Sequence, residues 1–269
     1  MAKHDLLTEE EFANYKPPKR AVRQLEQYAE SRGLDPSKVK VLDWGCGRGR
    51  FVLWLREHGF DAYGVDIDEE PVQNGLPLFK ARGYKEPLST LSPQGRTSYQ
   101  DGFFDFIMTD NVLEHVSDLQ KVVDEIDRLT STNGGGYHIF PAQRQPLEGH
   151  LFMPFVHWIP QGKVRKSLIR FWVRSGKEPK WKEVEGADLE KKTEVYYKYS
   201  TDHIFYRPFN TIRSCFEQKG FKVTILSLQN PAIQQHKLLG PLARIPLIKT
   251  LIRWMVLTFK QVELKTRRK

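Results

Sequence analysis

The fold of this chain is decided by the stretch Val39–Phe51, which reads VKVLDWGCGRGRF. An apolar run typical of a buried strand leads into three glycines at alternate positions, Gly45, Gly47 and Gly49, and a helical pattern follows. Glycine has no Cβ, so such a loop can turn tightly and let a ligand approach its N–H groups. Because open α/β sheets bind nucleotides at the carboxyl ends of their strands, the stretch predicts a nucleotide-binding loop.

A second stretch, Asp61–Asp68, reads DAYGVDID and predicts the next strand, which ends in a carboxylate at Asp66. A carboxylate in that place can accept hydrogen bonds from both hydroxyls of a ribose. The glycine spacing decides between nucleotides, because a dinucleotide site needs Gly-x-Gly-x-x-Gly. Here the third glycine comes one residue early, and Arg50 stands where that pattern requires glycine. A nicotinamide-dependent oxidoreductase is therefore disfavoured.

Four motifs in order resemble the class I S-adenosylmethionine (SAM)-dependent methyltransferase family. The first motif of that family has the form Asp-x-Gly-x-Gly-x-Gly, which Asp43–Gly49 matches, and the second ends in an acidic residue, as Asp61–Asp66 does. The stretch Phe104–Val116, FDFIMTDNVLEHV, is similar to the fourth strand and the Leu-Glu-His turn after it. The stretch Gly134–Phe140, GGGYHIF, is similar to the fifth strand, entered through a glycine turn.

The resemblance implies an enzyme with SAM as its cofactor, built on a doubly wound, mostly parallel Rossmann-like α/β sheet. Asp43 would brace the glycine loop, Asp66 would bind the ribose, and Ile67 would pack on the adenine. The end of the fourth strand would face both the cofactor and the acceptor. The SAM-binding residues so implied are Asp43, Gly45, Cys46, Gly47, Gly49, Asp66, Ile67, Asp110 and Asn111.

Two histidines are candidates for the general base that a hydroxyl acceptor needs, because the pKa of an imidazole lies near neutrality. His115 stands in the Leu-Glu-His turn, where its alternative role is to cap the next helix, and His150 begins the segment after the fifth strand. Quinone-ring O-methyltransferases of similar appearance carry Glu-x-x-Glu-His at this turn and bind a divalent metal with it. Here Asn111 replaces the first glutamate, so no metal is expected. His138, inside the fifth strand, is expected to be a core residue.

Alternating strands and helices predict a parallel sheet from residue 39 onwards. We divide the chain into an N-terminal helical segment (1–38), a SAM-binding core (39–140), a substrate-cap insert (141–205), and a last region (206–269). The last region holds the end of the methyltransferase sheet, including a strand over Phe221–Leu228, and a basic amphipathic tail. The insert is rich in aromatic residues and too long for a structureless loop, so we expect a helical cap over the carboxyl edge of the sheet.

Composition places the chain among soluble globular proteins, with 39% apolar and 28% charged residues in 269. Only two cysteines occur, Cys46 and Cys215, so no disulfide framework is indicated and a reducing compartment is expected. The first residues lack the apolar core of a secretory signal. These observations predict a cytoplasmic protein.

The net charge of +9 is concentrated in a tail, because residues 237–269 carry nine Lys or Arg and one acid, Glu263. Pro246–Leu264 could form an amphipathic helix that lies on an anionic membrane surface, which would make the protein peripheral at the inner membrane. Alternatively, Trp254–Leu264 forms the last antiparallel strand of the family sheet. The near-neutral remainder of the chain disfavours a nucleic-acid partner.

The residues after the fourth strand bear on the class of acceptor. Many methyltransferases that modify amino groups of nucleic-acid bases carry Asn-Pro-Pro-Tyr there, whereas this chain has Asp110–Leu113, DNVL. This absence argues against base amines as acceptors. The resemblance as a whole leads us to predict methyl transfer to a small-molecule, glycan or lipid-linked acceptor, at oxygen. The alternatives are a SAM-dependent RNA or nucleic-acid methyltransferase, and a non-catalytic accessory protein that binds nucleic acid through the basic tail.

Overall fold

The structure, a computed structural model, describes residues 5–85, 87–227 and 245–268. Its strands are β1 Lys40–Trp44, β2 Asp61–Asp66, β3 Leu88–Thr90, β4 Phe104–Asp110, β5 Thr130–Pro141, β6 Leu147–Glu148, β7 Met153–Pro154, β8 Phe221–Ile225 and β9 Gln261–Arg268. Its helices of more than one turn are α1 Glu9–Ala13, α2 Lys19–Arg32, α3 Arg50–Glu57, α4 Glu69–Ala81, α5 Leu119–Leu129, α6 Lys163–Arg174, α7 Leu189–Asp202, α8 Phe209–Gln218 and α9 Pro246–Phe259.

The described residues form a seven-stranded sheet in the order β3-β2-β1-β4-β5-β9-β8. The first five strands in this order are parallel to one another, and β9 runs antiparallel to both β5 and β8. One apolar cluster packs α2, α3 and α4 on one face, and a second packs α5 and α8 on the other. The predicted doubly wound, mostly parallel α/β sheet is confirmed.

Local signals explain where the helices begin. The helix after the glycine loop begins at Arg50, because the three glycines before it have φ of +86°, +53° and +75°, in the left-handed region that favours glycine. The side chain of Asp118 accepts a hydrogen bond of 3.2 Å from the backbone N–H of Lys121 and so caps α5. His115 therefore does not cap that helix.

The glycine turn predicted before the fifth strand is wrong, because Gly134, Gly135 and Gly136 lie inside β5. A Cβ on Gly135 would collide with the backbone of β9, and one on Gly136 would collide with the carbonyl oxygen of Ile107 in β4. These glycines are required by the close approach of three strands, which a local sequence pattern does not distinguish from a turn.

The tail contains both elements that the sequence analysis treated as alternatives. Trp254 lies in helix α9, so the strand predicted from that residue is wrong in its first half, and the strand begins at Gln261. The preceding strand ends at Ile225; Leu228 and Lys237, which the sequence analysis included in a strand and in the basic tail, lie outside the described residues. In the described ranges, every helix is too short or too polar to cross a membrane.

The insert after β5 builds a cap with a small apolar core of its own. Helices α6 and α7 pack against each other and over the hairpin β6-β7, with Tyr196 fully buried at the centre. The apolar residues of this core are Leu151, Met153, Val156, Ile169, Val173, Val184 and Tyr196. The expected helical cap is confirmed, whereas the division of the chain into four functional regions stays a prediction.

Candidate active site

The glycine loop is held against the end of β2 by backbone and carboxylate contacts. The N–H groups of Gly45 and Cys46 donate to the carbonyl oxygen of Val65, at 2.7 and 3.1 Å. The N–H of Gly47 donates to Oδ2 of Asp66 at 2.7 Å, and Oδ1 of Asp66 accepts from the N–H of Asp68 at 3.0 Å. Each carboxylate oxygen can accept more than one hydrogen bond, so Asp66 retains acceptor capacity toward a ligand.

Acidic groups converge beneath this loop, at the carboxyl ends of β1 and β4. Asp43 is buried, and burial, with the nearby charges of Asp110 and Asp66, raises its pKa to about 7. Burial also raises the pKa of Asp110, although a hydrogen bond of 2.6 Å from the Asn111 amide opposes that change. Tyr15 joins the group from the N-terminal segment, where burial, followed by the charge of Asp43, raises its pKa.

Asn111 occupies a strained position where β4 leaves the sheet. Its φ is +52°, its N–H donates to the carbonyl oxygen of Ile139 at 2.9 Å, and its Oδ1 accepts from Gln261 at 3.1 Å. Asparagine tolerates this left-handed conformation better than most residues. The conformation turns the chain out of the sheet and into the Leu-Glu-His turn.

The two candidate histidines meet at the boundary between the sheet and the cap. Nε2 of His115 lies 3.0 Å from Nε2 of His150. Nδ1 of His115 lies 2.6 Å from the carbonyl oxygen of His203, and Nδ1 of His150 lies 2.9 Å from a carboxylate oxygen of Glu148. A carbonyl and an ionised carboxylate can only accept, so both Nδ1 atoms carry a proton, and in the neutral rings both Nε2 atoms present a lone pair. Two lone pairs that face each other repel, so this contact is stabilised when one proton or one cation lies between the two Nε2 atoms.

Buried carboxylates surround the pair. Glu114 is only 3% exposed, and neither of its carboxylate oxygens has a hydrogen-bond partner within the described part of the chain. Burial raises the pKa of Glu114 to about 7. One carboxylate oxygen of Glu114 and one ring nitrogen from each of His115 and His150 lie within 4.8 Å of one another, so these three residues could hold a metal ion. No metal was expected from the sequence because Asn111 replaces the first glutamate of the Glu-x-x-Glu-His turn, and that reasoning did not include His150 as a donor.

Glu148 organises the cap side of the pair. Its carboxylate accepts from the Tyr206 hydroxyl at 2.7 Å and from the N–H groups of His150 and Leu151. Burial alone would raise the pKa of Glu148, but these hydrogen bonds and the nearby imidazole lower it. Burial opposes protonation of His150, yet the hydrogen bond and charge of Glu148 outweigh it and raise the pKa of His150. His115 lacks such a partner, and burial lowers its pKa.

Comparison with known proteins decides the family. Residues 11–226 match the family model described as a methyltransferase domain. The chain belongs to this family. Its members are SAM-dependent, and the architecture is that of class I SAM-dependent methyltransferases, as the sequence motifs implied.

The curated relatives match over part of their length. Norajmaline N-methyltransferase from Rauvolfia serpentina is 32% identical over 101 residues, which are 36% of this chain and 35% of the relative. A ubiquinone biosynthesis O-methyltransferase from Methylococcus capsulatus is 28% identical over 148 residues, 51% of this chain and 62% of the relative. The matched part of this methyltransferase therefore spans about a third to three fifths of these two proteins. Among solved structures, YcgJ from Bacillus subtilis aligns with a TM-score of 0.51 at 14% identity, over 92% of this chain and 99% of that chain, which shows the shared fold.

The residues around the loop fit SAM. A Cβ added to Gly47 would meet no atom within 4 Å, so the outer side of the loop is open to a ligand. Ile67 is 74% exposed, directly after the carboxylate of Asp66, and offers an apolar surface for a planar base. Cys46 instead packs inward, against the apolar cluster and beside Gly64. The individual roles of the predicted SAM-binding residues stay predictions.

Sequence reasoning missed three contributors to the site. Glu148 was overlooked although it stands two residues before His150, because its contact depends on the fold of the cap. Tyr206 reaches Glu148 from the segment that returns to the sheet. Tyr15 lies beside Arg50, whose guanidinium is 5.4 Å from the centre of the tyrosine ring. An isolated aromatic residue before two prolines was its only signal in the sequence.

Proposed function

We propose that this methyltransferase transfers the methyl group of SAM to a hydroxyl oxygen of a small, apolar or lipid-linked acceptor. The proposal is carried by the pair His115 and His150, whose Nε2 lone pairs converge at the carboxyl end of β4 beneath the cap. A hydroxyl must lose its proton as it attacks, whereas a neutral amine is already a nucleophile. A proton-accepting pair in this place therefore favours an oxygen acceptor.

SAM, when bound, supplies a methyl group on a positively charged sulfur. Most of the rate gain comes from holding the acceptor in line with that methyl group and excluding water. The glycine loop and Asp66 hold the cofactor at one side, and the cap covers the other. The Nε2 atoms of His115 and His150 take the hydroxyl proton and share it, which stabilises the protonated pair beside the negative charge of Glu148.

The names of the relatives include both oxygen and nitrogen acceptors, and the oxygen group supports the proposal. Several are named ubiquinone biosynthesis O-methyltransferases, so their names assign the methyl group to an oxygen atom. The cap also places an aromatic side chain near the histidines, since the Tyr199 ring lies 6.1 Å from the His150 ring. An aromatic surface of this kind suits an apolar acceptor.

The test is a methyl-transfer assay with isotope-labelled SAM and a panel of hydroxylated aromatic rings with isoprenoid tails, polyprenyl-linked glycans, free sugars and amines. We expect O-methylated products from an apolar hydroxyl acceptor, identified by mass spectrometry, and loss of product with His150→Ala. His203→Ala is the matched control, because it removes a neighbouring imidazole but keeps the backbone carbonyl that orients His115. Transfer to amines alone would overturn the oxygen assignment.

A further inference from the structure

Helix α9 presents an apolar stripe to solvent. None of its side chains is buried, and four of them, Leu247, Leu251, Trp254 and Met255, are between 49% and 80% exposed. At about 100° per residue these four lie within roughly 100° of the helix circumference. An exposed apolar surface of this kind marks a place of contact with another apolar phase or partner.

The stripe continues onto the cap. The Trp254 ring lies 5.7 Å from Phe259, which lies 6.4 Å from Trp158, which in turn lies 4.9 Å from Phe155. Phe155 has a φ of +61°, so an exposed phenylalanine is held at a backbone conformation that is costly for a bulky residue. We call the combined surface the apolar patch; it comprises Leu247, Leu251, Trp254, Met255, Phe155 and Trp158.

The charges around the apolar patch select its partner. Residues 245–260 contain three cations, Lys249, Arg253 and Lys260, and no acid. Lys249 and Arg253 project from the side of α9 opposite the exposed stripe, as on helices that lie in a lipid interface. The two indoles of the patch suit that interface, because each has an apolar body and one polar N–H.

The position of α9 relates the patch to the active site. The carbonyl oxygens of Lys260 and Thr258 accept from the N–H groups of Ala142 and Arg144, which follow the carboxyl end of β5. The patch therefore borders the same edge of the sheet as the paired histidines. We propose that the apolar patch docks in the headgroup region of an anionic lipid bilayer, with the edge of the sheet that carries the active site turned toward the membrane surface. Such docking would bring the active site close to a lipid-linked acceptor, and only this consequence rests on the proposed function.

The test is co-sedimentation of the full chain with vesicles of phosphatidylcholine, with and without phosphatidylglycerol. We expect binding to the anionic vesicles that weakens as salt rises through the screening range. The double variant Leu251→Glu with Trp254→Glu should bind at least about tenfold more weakly, because two charges replace inserted apolar groups. Lys249→Gln with Arg253→Gln should lose about tenfold or more on anionic vesicles only. Leu34→Glu is the matched control, an exposed leucine that follows α2 and lies before the amino end of β1.

Substitutions are used because deleting the tail would also remove β9 from the sheet. SAM binding and methyl transfer to a detergent-soluble acceptor should survive in the double variant, which separates this test from that of the proposed function. No binding to anionic vesicles, or undiminished binding by the double variant, would overturn the proposal. A concentration-dependent dimer in sedimentation velocity that the double variant abolishes would also overturn it, because the patch would then be a contact between copies.

Discussion

His115 and His150 face each other through their Nε2 atoms at 3.0 Å, although 35 positions separate them in the sequence. One belongs to the turn after β4 and the other to the first residues of the cap. Each ring is oriented by an acceptor on its far nitrogen, the His203 carbonyl for one and the Glu148 carboxylate for the other. Two lone pairs are thereby aimed at one point, where a proton from the acceptor can be shared.

The first prediction concerns the coupling of the two histidines. His115→Ala and His150→Ala should each lower kcat by about 100-fold at saturating SAM, because either change removes the shared proton site. The double variant should lose little more than either single one, since residues that act as a unit are not additive. Steady-state kinetics of the four proteins provide the measurement. Independent, multiplying losses would contradict a shared proton.

The second prediction concerns the pH dependence of turnover. The pair accepts a proton only when it is unprotonated, so kcat should rise with pH through the apparent pKa of the pair. Glu148 raises the pKa of His150 above that of an ordinary histidine, so Glu148→Gln should move the inflection to lower pH. The measurement is the profile of kcat against pH for the two proteins. An inflection at the same pH in both would show that Glu148 does not set the pKa of the base.

A third prediction addresses the buried carboxylate of Glu114. If the histidines act as a base, a chelator leaves turnover unchanged, and added Zn²⁺ inhibits because it occupies Glu114, His115 and His150 together. Glu114→Gln should weaken this inhibition. Assays after dialysis against a chelator provide the measurement. Turnover that is lost on chelation and restored by Zn²⁺ would show that the group works as a metal site instead.

The cofactor site gives a fourth prediction. Asp66→Ala should weaken SAM binding by about 2 to 4 kcal/mol, because two charge-assisted hydrogen bonds to the ribose are lost along with the contact that positions Gly47. Asp68→Ala is the control, since Asp68 immediately precedes α4 and its side chain makes no capping hydrogen bond there. Titration calorimetry measures both affinities, and equal losses would place the ribose elsewhere.

A fifth prediction concerns stability against pH. His138 is fully buried between the Thr109 and Thr266 hydroxyls, and burial lowers its pKa to about 3. Between about pH 6.5 and 3 the unfolded chain binds a proton at His138 that the folded chain does not. The free energy of unfolding should therefore fall by about 1.4 kcal/mol per pH unit on this account as the pH drops. His138→Gln should lack this contribution in denaturant unfolding measured at several pH values, and parallel pH slopes for the two proteins would disprove it.

The sequence predicts the sheet well where the signal is local. The glycines at Gly45, Gly47 and Gly49 and the acid at Asp66 form a pattern among near neighbours, so the loop and the strand end could be predicted, while the roles of these residues toward SAM stay predictions. His115 and His150 were both identified, but their contact depends on a cap whose fold is set by its own apolar core. Gly136 was misassigned because close approach between strands and a turn select the same residue.

The position of β9 has a consequence for how the chain is assembled during synthesis. Strand β8 leaves the ribosome before β9, yet β9 lies between it and β5. Until residues 261–268 follow, β5 exposes an unpaired edge, and β8 lacks the strand with which it forms its antiparallel ladder. This side of the sheet is thus completed only by residues that are made after β5 and β8. If synthesis stalled in the basic tail, the nascent chain would keep the unpaired edge of β5. Unpaired strand edges of this kind are bound by chaperones.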